Sequence, residues 1–275
     1  MRVALTIAGS DSGGGAGIQA DLKTFHRFGV FGTSAITAVT AQNTLGVRAW
    51  EAVSPALVRE QIKAVAEDLA PSAFKTGMLG SAAVARSVAA AIREHHLVNY
   101  VLDPVMIATS GDSLLDEDAL EVLRRDLIPL ALVITPNSHE ASALTGQPVA
   151  SAHDAVRAAE LLVKEHGAAA ALVKGAHLDD AAEIVDVLFV DKPIVFRGAR
   201  LQSRNTHGTG CTLSAAITAG LALGHPLEET VGAAISYVRN AIAAAPSLGR
   251  GSGPLGHHAD VPPGFLDKRN SVTSD

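Results

Sequence analysis

The chain has 275 residues, of which 48% are hydrophobic and 18% are charged, and its formal net charge is −6. This negative charge argues against nucleic acid and anionic membrane surfaces as partners, and no apolar run reaches the roughly 18 residues that a membrane helix needs. The single cysteine excludes a disulfide framework. Because the N-terminus has no recognisable signal peptide, the sequence predicts a cytoplasmic protein.

Strand-like and helix-like segments alternate along the chain. Short apolar or β-branched runs predict strands at residues 3–8, 34–40, 73–76, 98–102, 132–135 and 170–174. Apolar residues at helical spacing predict helices at residues 16–28, 55–69, 81–95, 116–127, 152–165, 212–223 and 226–244. The alternating segments 183–190 and 193–197 predict an antiparallel hairpin.

This alternation predicts a single α/β domain, residues 1–258, with a central, mostly parallel β-sheet flanked by helices on both faces. No linker rich in Pro, Gly and Ser divides the chain, and no internal repeat is visible. Residues 259–275 are predicted to form a flexible C-terminal tail.

The most informative segment is residues 205–212, Asn-Thr-His-Gly-Thr-Gly-Cys-Thr. Gly208, Thr209 and Gly210 stand just before a predicted helix, where unpaired backbone N–H groups and the helix dipole favour an anion. Cys211, the only cysteine, lies at the same place, which favours the thiolate over the thiol. An anion site with a deprotonatable group indicates phosphoryl transfer to a hydroxyl. The structural alternatives are an ordinary helix start and a small buried cysteine.

Polar residues follow several of the predicted strands. Asp103 follows strand 98–102, Asn137 and Glu140 follow strand 132–135, and Lys174 ends strand 170–174. In open parallel sheets ligands bind outside the carboxyl ends of the strands, and Mg²⁺ is held by one or two carboxylates plus phosphates. The sequence therefore predicts a magnesium–nucleotide site at this edge of the sheet.

Each of these residues also has a purely structural interpretation. Asp103 precedes Pro104 and would shape a turn. Glu140 stands three residues after Asn137, the spacing of a helix capping box. Lys174 would be a lysine at the rim with a solvated head group.

The sequence excludes two other nucleotide-binding classes and a zinc site. The chain contains no Gly-x-x-x-x-Gly-Lys-Ser/Thr motif, which excludes a P-loop enzyme. Residues 15–20 match a dinucleotide fingerprint only loosely, and no acidic residue ends the second strand to hold a ribose. The histidine pairs at 95–96 and 257–258 lack zinc spacing with a partner cysteine.

Eight motifs occur in order along the chain, at residues 8–23 (beginning Ala8-Gly9-Ser10-Asp11), 37–44, 75–79, 102–106, 110–112, 134–140, 172–175 and 205–212. In these motifs the chain resembles the hydroxymethylpyrimidine/phosphomethylpyrimidine kinases of thiamine biosynthesis. The resemblance covers nearly the whole chain to about residue 258.

The resemblance implies a ribokinase-like fold and ATP-dependent phosphorylation of 4-amino-5-hydroxymethyl-2-methylpyrimidine, first to the monophosphate and then to the diphosphate. ATP and Mg²⁺ are the implied cofactors, and the implied partners are the pyrimidine alcohol and a second copy of the chain in a homodimer. On the substrate side, Gln42 reads the pyrimidine edge, with Gly9, Asp21 and Met78 near it.

On the phosphate side, the resemblance assigns Asn137 and Glu140 to a magnesium and phosphate motif that Asp103 assists. Lys174 and Thr206 would contact the nucleotide. The anion hole would consist of residues 208–210, and Cys211 would accept the hydroxyl proton, with its pKa lowered by the helix terminus.

Three residues depart from the family pattern: Ser12 replaces a proline, Ser138 a leucine and Ala176 a glycine. None of them is a proposed ligand. Two alternatives remain open, a pyridoxine/pyridoxal kinase of the same superfamily and a catalytically silent pyrimidine-binding regulatory protein.

Overall fold

The computed structural model of the chain describes residues 1–106, 117–175 and 183–266. The strands in these ranges are β1 (Val3–Asp11), β2 (Phe31–Asn43), β3 (Gly46–Ala52), β4 (Ala73–Thr76), β5 (Tyr100–Leu102), β6 (Val133–Ile134), β7 (Ala171–Val173), β8 (Glu183–Phe189) and β9 (Pro193–Ala199). The α-helices are α1 (Gly17–Arg27), α2 (Pro55–Leu69), α3 (Ala82–Glu94), α4 (Glu117–Val122), α5 (Ser138–Thr145), α6 (Ala152–Lys164), α7 (Thr209–Ala222) and α8 (Leu227–Ala243).

The strands form one sheet in the order β3-β2-β1-β4-β5-β6-β7-β8-β9. The pairs from β2 to β7 are parallel, whereas β3 at one edge and β8 and β9 at the other are antiparallel to their neighbours. The chain leaves β1 toward β2 and later returns to the other side of β1 with β4. In such sheets the loops on either side of the reversal leave a crevice at the carboxyl ends of the strands, where ligands bind.

Hydrophobic residues cover both faces of the sheet. Leu5 and Ile7 of β1 belong to a buried cluster with α2, α3, α5 and α6. Ala4 points the other way and belongs to a second cluster with α1, α7 and α8. The predicted α/β fold with helices on both faces is therefore confirmed.

The structure places the end of β1 and the start of α7 differently from the prediction. β1 continues to Asp11 instead of ending at residue 8, because Ser10 and Asp11 pair with Val39 and Thr40 of β2 beyond an irregularity. α7 begins at Thr209 rather than at residue 212. Thr209, Gly210 and Cys211 therefore lie in the first turn of the helix, and Gly208 is its N-cap.

Two elements were not predicted. β3 is largely exposed, and it is held by pairing with β2 rather than by burial of its own side chains. α5 has only 8 residues, and its start coincides with the capping spacing noted at Asn137. Neither segment has the apolar periodicity on which the sequence prediction depends.

The packed part of the chain extends past the predicted boundary at residue 258. Ala259 and Val261 are buried in the cluster of α1, α7 and α8, and Phe265 packs against it. The tail beyond residue 266 lies outside the described residues. Among the described residues, no helix is both long and apolar enough to span a membrane.

Candidate active site

The start of α7 lies at the carboxyl ends of the central strands. Its N-cap, Gly208, has a φ of 83°, which glycine adopts without strain, and a Cβ at this position would collide with the carbonyl oxygen of Gly15. The first hydrogen bond within the helix runs from the Thr212 amide to Gly208 O at 2.8 Å, so the amides of Gly210 and Cys211 have no acceptor within the helix. Two N–H donors therefore stand at the positive end of the α7 dipole.

Three charged residues, Asp103, Glu140 and Lys174, form what we call the charged cluster. The Lys174 Nζ atom lies 3.5 Å from Asp103 Oδ1 and 4.0 Å from Glu140 Oε2. A Cβ built on Gly210 would lie 3.4 Å from Lys174 Nζ and 3.9 Å from Asp103 Oδ2. The fold thus brings the residues that follow β5, β6 and β7 to the first turn of α7.

Burial determines the electrostatics of the charged cluster. Burial raises the pKa of Glu140 to about 7, and the nearby Asp103 adds to this rise although Lys174 opposes it. Burial would lower the pKa of Lys174, but the two carboxylates hold it above its ordinary value. With its carboxyls ionised, the cluster has two negative charges for one positive charge. An additional cation would therefore be favoured here.

Glu140 also has the structural role that its spacing predicts. The Asn137 Oδ1 atom accepts from the Glu140 amide at 2.9 Å, and Glu140 Oε2 accepts from the Asn137 amide at 2.8 Å, forming the capping box of α5. The Lys174 amide donates to Pro136 O at 2.8 Å. These bonds fix the loops after β6 and β7 to each other and hold the Glu140 carboxylate beside Lys174.

The donor set fits a cation that is shared with a ligand. Across residues 1–106, 117–175 and 183–266, no group of three or more His, Cys, Asp and Glu residues could hold a metal ion. The two carboxylates of the charged cluster are, however, the oxygen ligands that Mg²⁺ uses when phosphates complete its coordination.

The environment of Cys211 differs from the expectation. The residue is partly exposed, but burial of the thiol raises its pKa to about 12, and the carboxylates of Asp21 and Asp103 add to the rise. The Lys75 ammonium and a hydrogen bond from the Gly17 amide act in the opposite direction without compensating. The prediction of a lowered pKa for Cys211 is wrong, because desolvation of the thiol and the two carboxylates outweigh the groups that favour the thiolate.

A second group, Asp11, Gln42 and His207, forms what we call the amide cluster. Asp11 Oδ2 and His207 Nε2 are 2.9 Å apart, and Gln42 Nε2 lies 3.4 Å from the same ring nitrogen. The backbone of Gln42 is held by Ser12, whose hydroxyl donates to Gln42 O at 2.7 Å and accepts from Gln42 N at 2.8 Å. Because His207 directly precedes Gly208, this cluster adjoins the start of α7.

Two of the expected substrate residues lie together, Gly9 near the carboxyl end of β1 and Met78 just after β4. A Cβ on Gly9 would lie 3.3 Å from the Met78 sulfur. The Thr37 hydroxyl donates to the carbonyl oxygen of Met78 at 2.6 Å and fixes this loop against β2. Gly9 thus leaves room for the Met78 side chain.

Asp21 does not line a pocket. Its side chain is fully buried, and its oxygens accept from Lys75 Nζ at 2.8 Å and from the Thr6 hydroxyl at 2.6 Å. The structure therefore corrects its assignment: Asp21 does not contact the substrate but holds Lys75, whose ammonium acts on the Cys211 thiol. Lys75 was missed in the sequence analysis, although a lysine inside the short strand 73–76 is an unusual residue for a buried strand.

Thr206 is exposed, and its carbonyl oxygen accepts from the hydroxyl and the amide of Thr209 at 2.7 and 3.2 Å. This turn leads into α7, and the predicted nucleotide contact of Thr206 stays a prediction. The motif at residues 110–112 and the departure at Ala176 lie outside the described residues.

Known proteins match this chain over nearly its whole length. The pattern of the phosphomethylpyrimidine kinase family matches residues 11–256. A hydroxymethylpyrimidine/phosphomethylpyrimidine kinase from Rhizobium meliloti is 51% identical over 93% of this chain and 96% of its own length. The chain belongs to the phosphomethylpyrimidine kinase family.

Two solved structures have the same fold as this family member. The phosphomethylpyrimidine kinase from Clostridium difficile is 43% identical, with a TM-score of 0.79 over 88% of this chain and 100% of that one. The pyridoxal kinase from Bacillus subtilis, solved as an ADP complex, is 37% identical, with a TM-score of 0.87 over 94% of this chain and 98% of that one. The fold is therefore ribokinase-like, as the resemblance implied.

Proposed function

We propose that this chain transfers the γ-phosphoryl group of ATP to the hydroxymethyl group of 4-amino-5-hydroxymethyl-2-methylpyrimidine, and then phosphorylates the monophosphate to the diphosphate. The family and the names of its relatives support this thiamine-biosynthesis activity. The observation that carries the proposal is the approach of Gly210, at the start of α7, to Lys174 and Asp103. One position thereby offers amide donors, an ammonium and a carboxylate to a phosphoryl group.

The transfer is an in-line displacement. The hydroxymethyl oxygen forms a bond to the γ-phosphorus, the bond from that phosphorus to the bridging oxygen breaks, and ADP leaves. Because the protein contributes mainly position and charge in such reactions, the amides of Gly210 and Cys211 stabilise the negative charge on the transferring group. Lys174 neutralises charge on the phosphates.

Cys211 is proposed as the acceptor of the hydroxyl proton. Its thiol must first be ionised, and the raised pKa makes the thiolate a minor species in the free protein. The reaction through Cys211 would therefore proceed faster as the pH rises. Lys75, buried beside Asp21, supplies the positive charge that favours the thiolate.

Asp103 and Glu140 are proposed as the ligands of Mg²⁺, which would join them to the ATP phosphates and neutralise charge there. Asn137 holds Glu140 in place through the capping box. Thr206 is proposed to contact the nucleotide. On the opposite side of the site, Gln42, Met78 and Gly9 are proposed to bind the pyrimidine ring.

A vitamin B6 kinase is the second candidate function. The observation in its favour is the likeness to the Bacillus subtilis pyridoxal kinase, which covers 94% of this chain. Both substrates are small heteroaromatic rings that carry a hydroxymethyl group. They differ in the amino group, which only the pyrimidine carries.

A homodimer is also proposed. The β2–β3 extension leaves large apolar side chains exposed, with 54% of Val39, 57% of Leu45 and 43% of Trp50 accessible. A second copy of the chain would cover this edge of the sheet. Light scattering of the purified protein tests this, with a dimer mass expected and a monomer mass contradicting it.

The test of the proposed function is an ATP assay with the hydroxymethylpyrimidine, with products separated over time. The expected result is the monophosphate followed by the diphosphate, with matching release of ADP. Turnover of pyridoxine without turnover of the pyrimidine would establish the second candidate. No turnover of either alcohol would leave a silent ring-binding protein.

A further inference from the structure

The contact between the Gln42 amide and the His207 ring raises a question of hydrogen-bond balance. His207 Nε2 lies 2.9 Å from Asp11 Oδ2 and 3.4 Å from Gln42 Nε2. The second contact joins two nitrogens, and because an amide nitrogen can only donate, it requires an unprotonated Nε2 on His207. Whether Nε2 is unprotonated depends on where His207 carries its proton.

Asp11 settles the position of that proton. Its carboxylate accepts from the amides of Gly13, Gly15 and Ala16 at 2.7, 3.0 and 2.8 Å. Burial raises the pKa of Asp11, but the hydrogen bonds from His207 and from these amides outweigh burial and hold the pKa below its ordinary value. An ionised carboxylate can only accept. The Nε2 atom of His207 therefore carries a proton and donates it to Asp11.

A protonated Nε2 atom cannot accept from the Gln42 amide nitrogen. Thr40 gives a second and independent indication on the other side of the amide. The Thr40 hydroxyl donates to Ser10 O at 2.8 Å, so its single proton is not available to Gln42 Oε1 at 3.4 Å. A half-turn of the amide, which hardly changes its shape, resolves both conflicts. The amide oxygen then accepts from His207, and the amide nitrogen donates to Thr40 Oγ1.

We propose that His207, held by Asp11, is the positioning residue that orients the Gln42 amide, with its oxygen toward the start of α7 and its nitrogen toward Thr40, and that this orientation selects an aminopyrimidine over a vitamin B6 alcohol. The proposal rests on the proposed function, in which Gln42 contacts the substrate ring. Ser12 supports it by holding the Gln42 backbone on both its N–H and its C=O.

The orientation leaves one lone pair and one N–H of Gln42 for a ligand. A paired acceptor and donor of this kind recognises a ring nitrogen next to an exocyclic amino group, as glutamine does with adenine. In the hydroxymethylpyrimidine the amino group stands between a ring nitrogen and the carbon that carries the hydroxymethyl group. When the amino group donates to the Gln42 oxygen, the hydroxymethyl group therefore faces the start of α7. Pyridoxine has no amino group to donate there.

The orientation is tested directly by the protonation of His207 in the unliganded protein. Nitrogen-15 NMR of labelled full-length protein at about pH 8.5, where a free imidazole is neutral, distinguishes the two ring tautomers. The His207→Phe variant identifies the signal. The expected result is a proton on Nε2. A proton on Nδ1 alone, with Nε2 bare, would overturn the proposal.

The effect on selectivity is tested by kinetics with the pyrimidine and pyridoxine. His207→Phe should lower the ratio of kcat/KM between them by about 10-fold, the scale of one lost hydrogen bond, mainly through KM of the pyrimidine. His207→Gln, which keeps N–H donors at a similar reach, should restore most of the ratio. His258→Phe, the same change at an exposed histidine, should leave the ratio unchanged.

An unchanged ratio in His207→Phe, or no recovery in His207→Gln, would overturn the role of His207 in selectivity. If the wild-type protein phosphorylates neither alcohol, the proposed function fails. In that case the tautomer of His207 still decides the orientation of Gln42. The same measurement applies if His207→Phe does not fold, with the signal then assigned through His207→Gln.

Discussion

The charged cluster and the amide cluster both adjoin the start of α7 and are held in different ways. In the charged cluster, Asp103 and Glu140 share the single ammonium of Lys174, and burial leaves Glu140 with a raised pKa of about 7. In the amide cluster, the Asp11 carboxylate is matched by donors and its pKa is lowered. With its carboxyls ionised, the charged cluster has one more negative than positive charge. In the amide cluster, the Asp11 carboxylate already has hydrogen-bond donors from His207 and three backbone amides.

This difference indicates how each side contributes to the proposed reaction. A cluster with excess negative charge is stabilised most when an additional cation arrives with the phosphates, so we expect changes in the charged cluster to act on kcat. A balanced cluster presents the same groups before and after binding. Changes there should act on KM, because binding that is equal in ground and transition states leaves kcat unaffected.

Replacement of Cys211, in the first turn of α7 beside the charged cluster, is the change with the largest expected effect. If Cys211 accepts the hydroxyl proton, Cys211→Ala should lower kcat by roughly 10² to 10⁴, with little change in KM of the pyrimidine. Steady-state kinetics measures both constants. Ser236→Ala, an exposed position on α8, is the control. A kcat near that of the wild type would reduce Cys211 to a packing residue.

The ion pair of Lys75 and Asp21 near Cys211 is completely buried, so it can be compared with an exposed ion pair of the same chain. Lys75→Met would leave the Asp21 carboxylate without its partner, and we expect the free energy of unfolding to fall by about 3–5 kcal/mol. The double change of Lys75→Met with Asp21→Leu should recover most of the loss, since no lone charge remains. Urea unfolding measures these values.

The control for this pair is Lys164→Met, which breaks the exposed pair with Glu160 and should cost no more than about 1 kcal/mol. A similarly small loss for Lys75→Met would show that the buried pair does not stabilise the fold.

The ionisation of Cys211 gives a pH dependence. Its raised pKa of about 12 means that the thiolate fraction increases with pH over the whole accessible range. Alkylation by iodoacetamide should accelerate about 10-fold per pH unit between about pH 7 and about pH 10, because the thiolate is the reactive form. The chain has a single cysteine, so the rate reports on this site alone. A plateau at or below about pH 9 would contradict the burial argument.

Gln42→Ala tests the amide cluster, and it is the change with the smallest expected effect. Loss of the amide should raise KM of the pyrimidine about 10-fold and leave kcat within about threefold of the wild type. Gln61→Ala, which removes an amide that bonds the backbone of Ile36 at the outer side of β2, is a matched control away from the site. A large fall in kcat with an unchanged KM would assign Gln42 to the reaction step instead of the ring.

The sequence predicted the charged cluster better than the amide cluster. Asp103, Glu140 and Lys174 follow parallel strands, whose carboxyl ends must meet at one edge of the sheet. The contact between Asp11 and His207 joins residues 196 positions apart, and no periodicity indicates it. This contact exists only in the folded chain, where the backbone of Gly15 packs against Gly208.

Two further differences have physical causes that a sequence pattern does not contain. The pKa of Cys211 depends on burial and on Asp21 and Asp103, which approach it only in the folded chain. Strand β3 depends on pairing with β2 rather than on its own residues. Helices such as α2 were predicted almost to the residue because their caps and apolar spacing are local.

The most direct test of the central claim is a competition assay, with the hydroxymethylpyrimidine and pyridoxine at equal concentration and limiting ATP. A site that combines a phosphate-binding helix start with an oriented Gln42 amide should phosphorylate the pyrimidine in large excess over pyridoxine. Equal phosphorylation of both alcohols, or a preference for pyridoxine, would contradict the account.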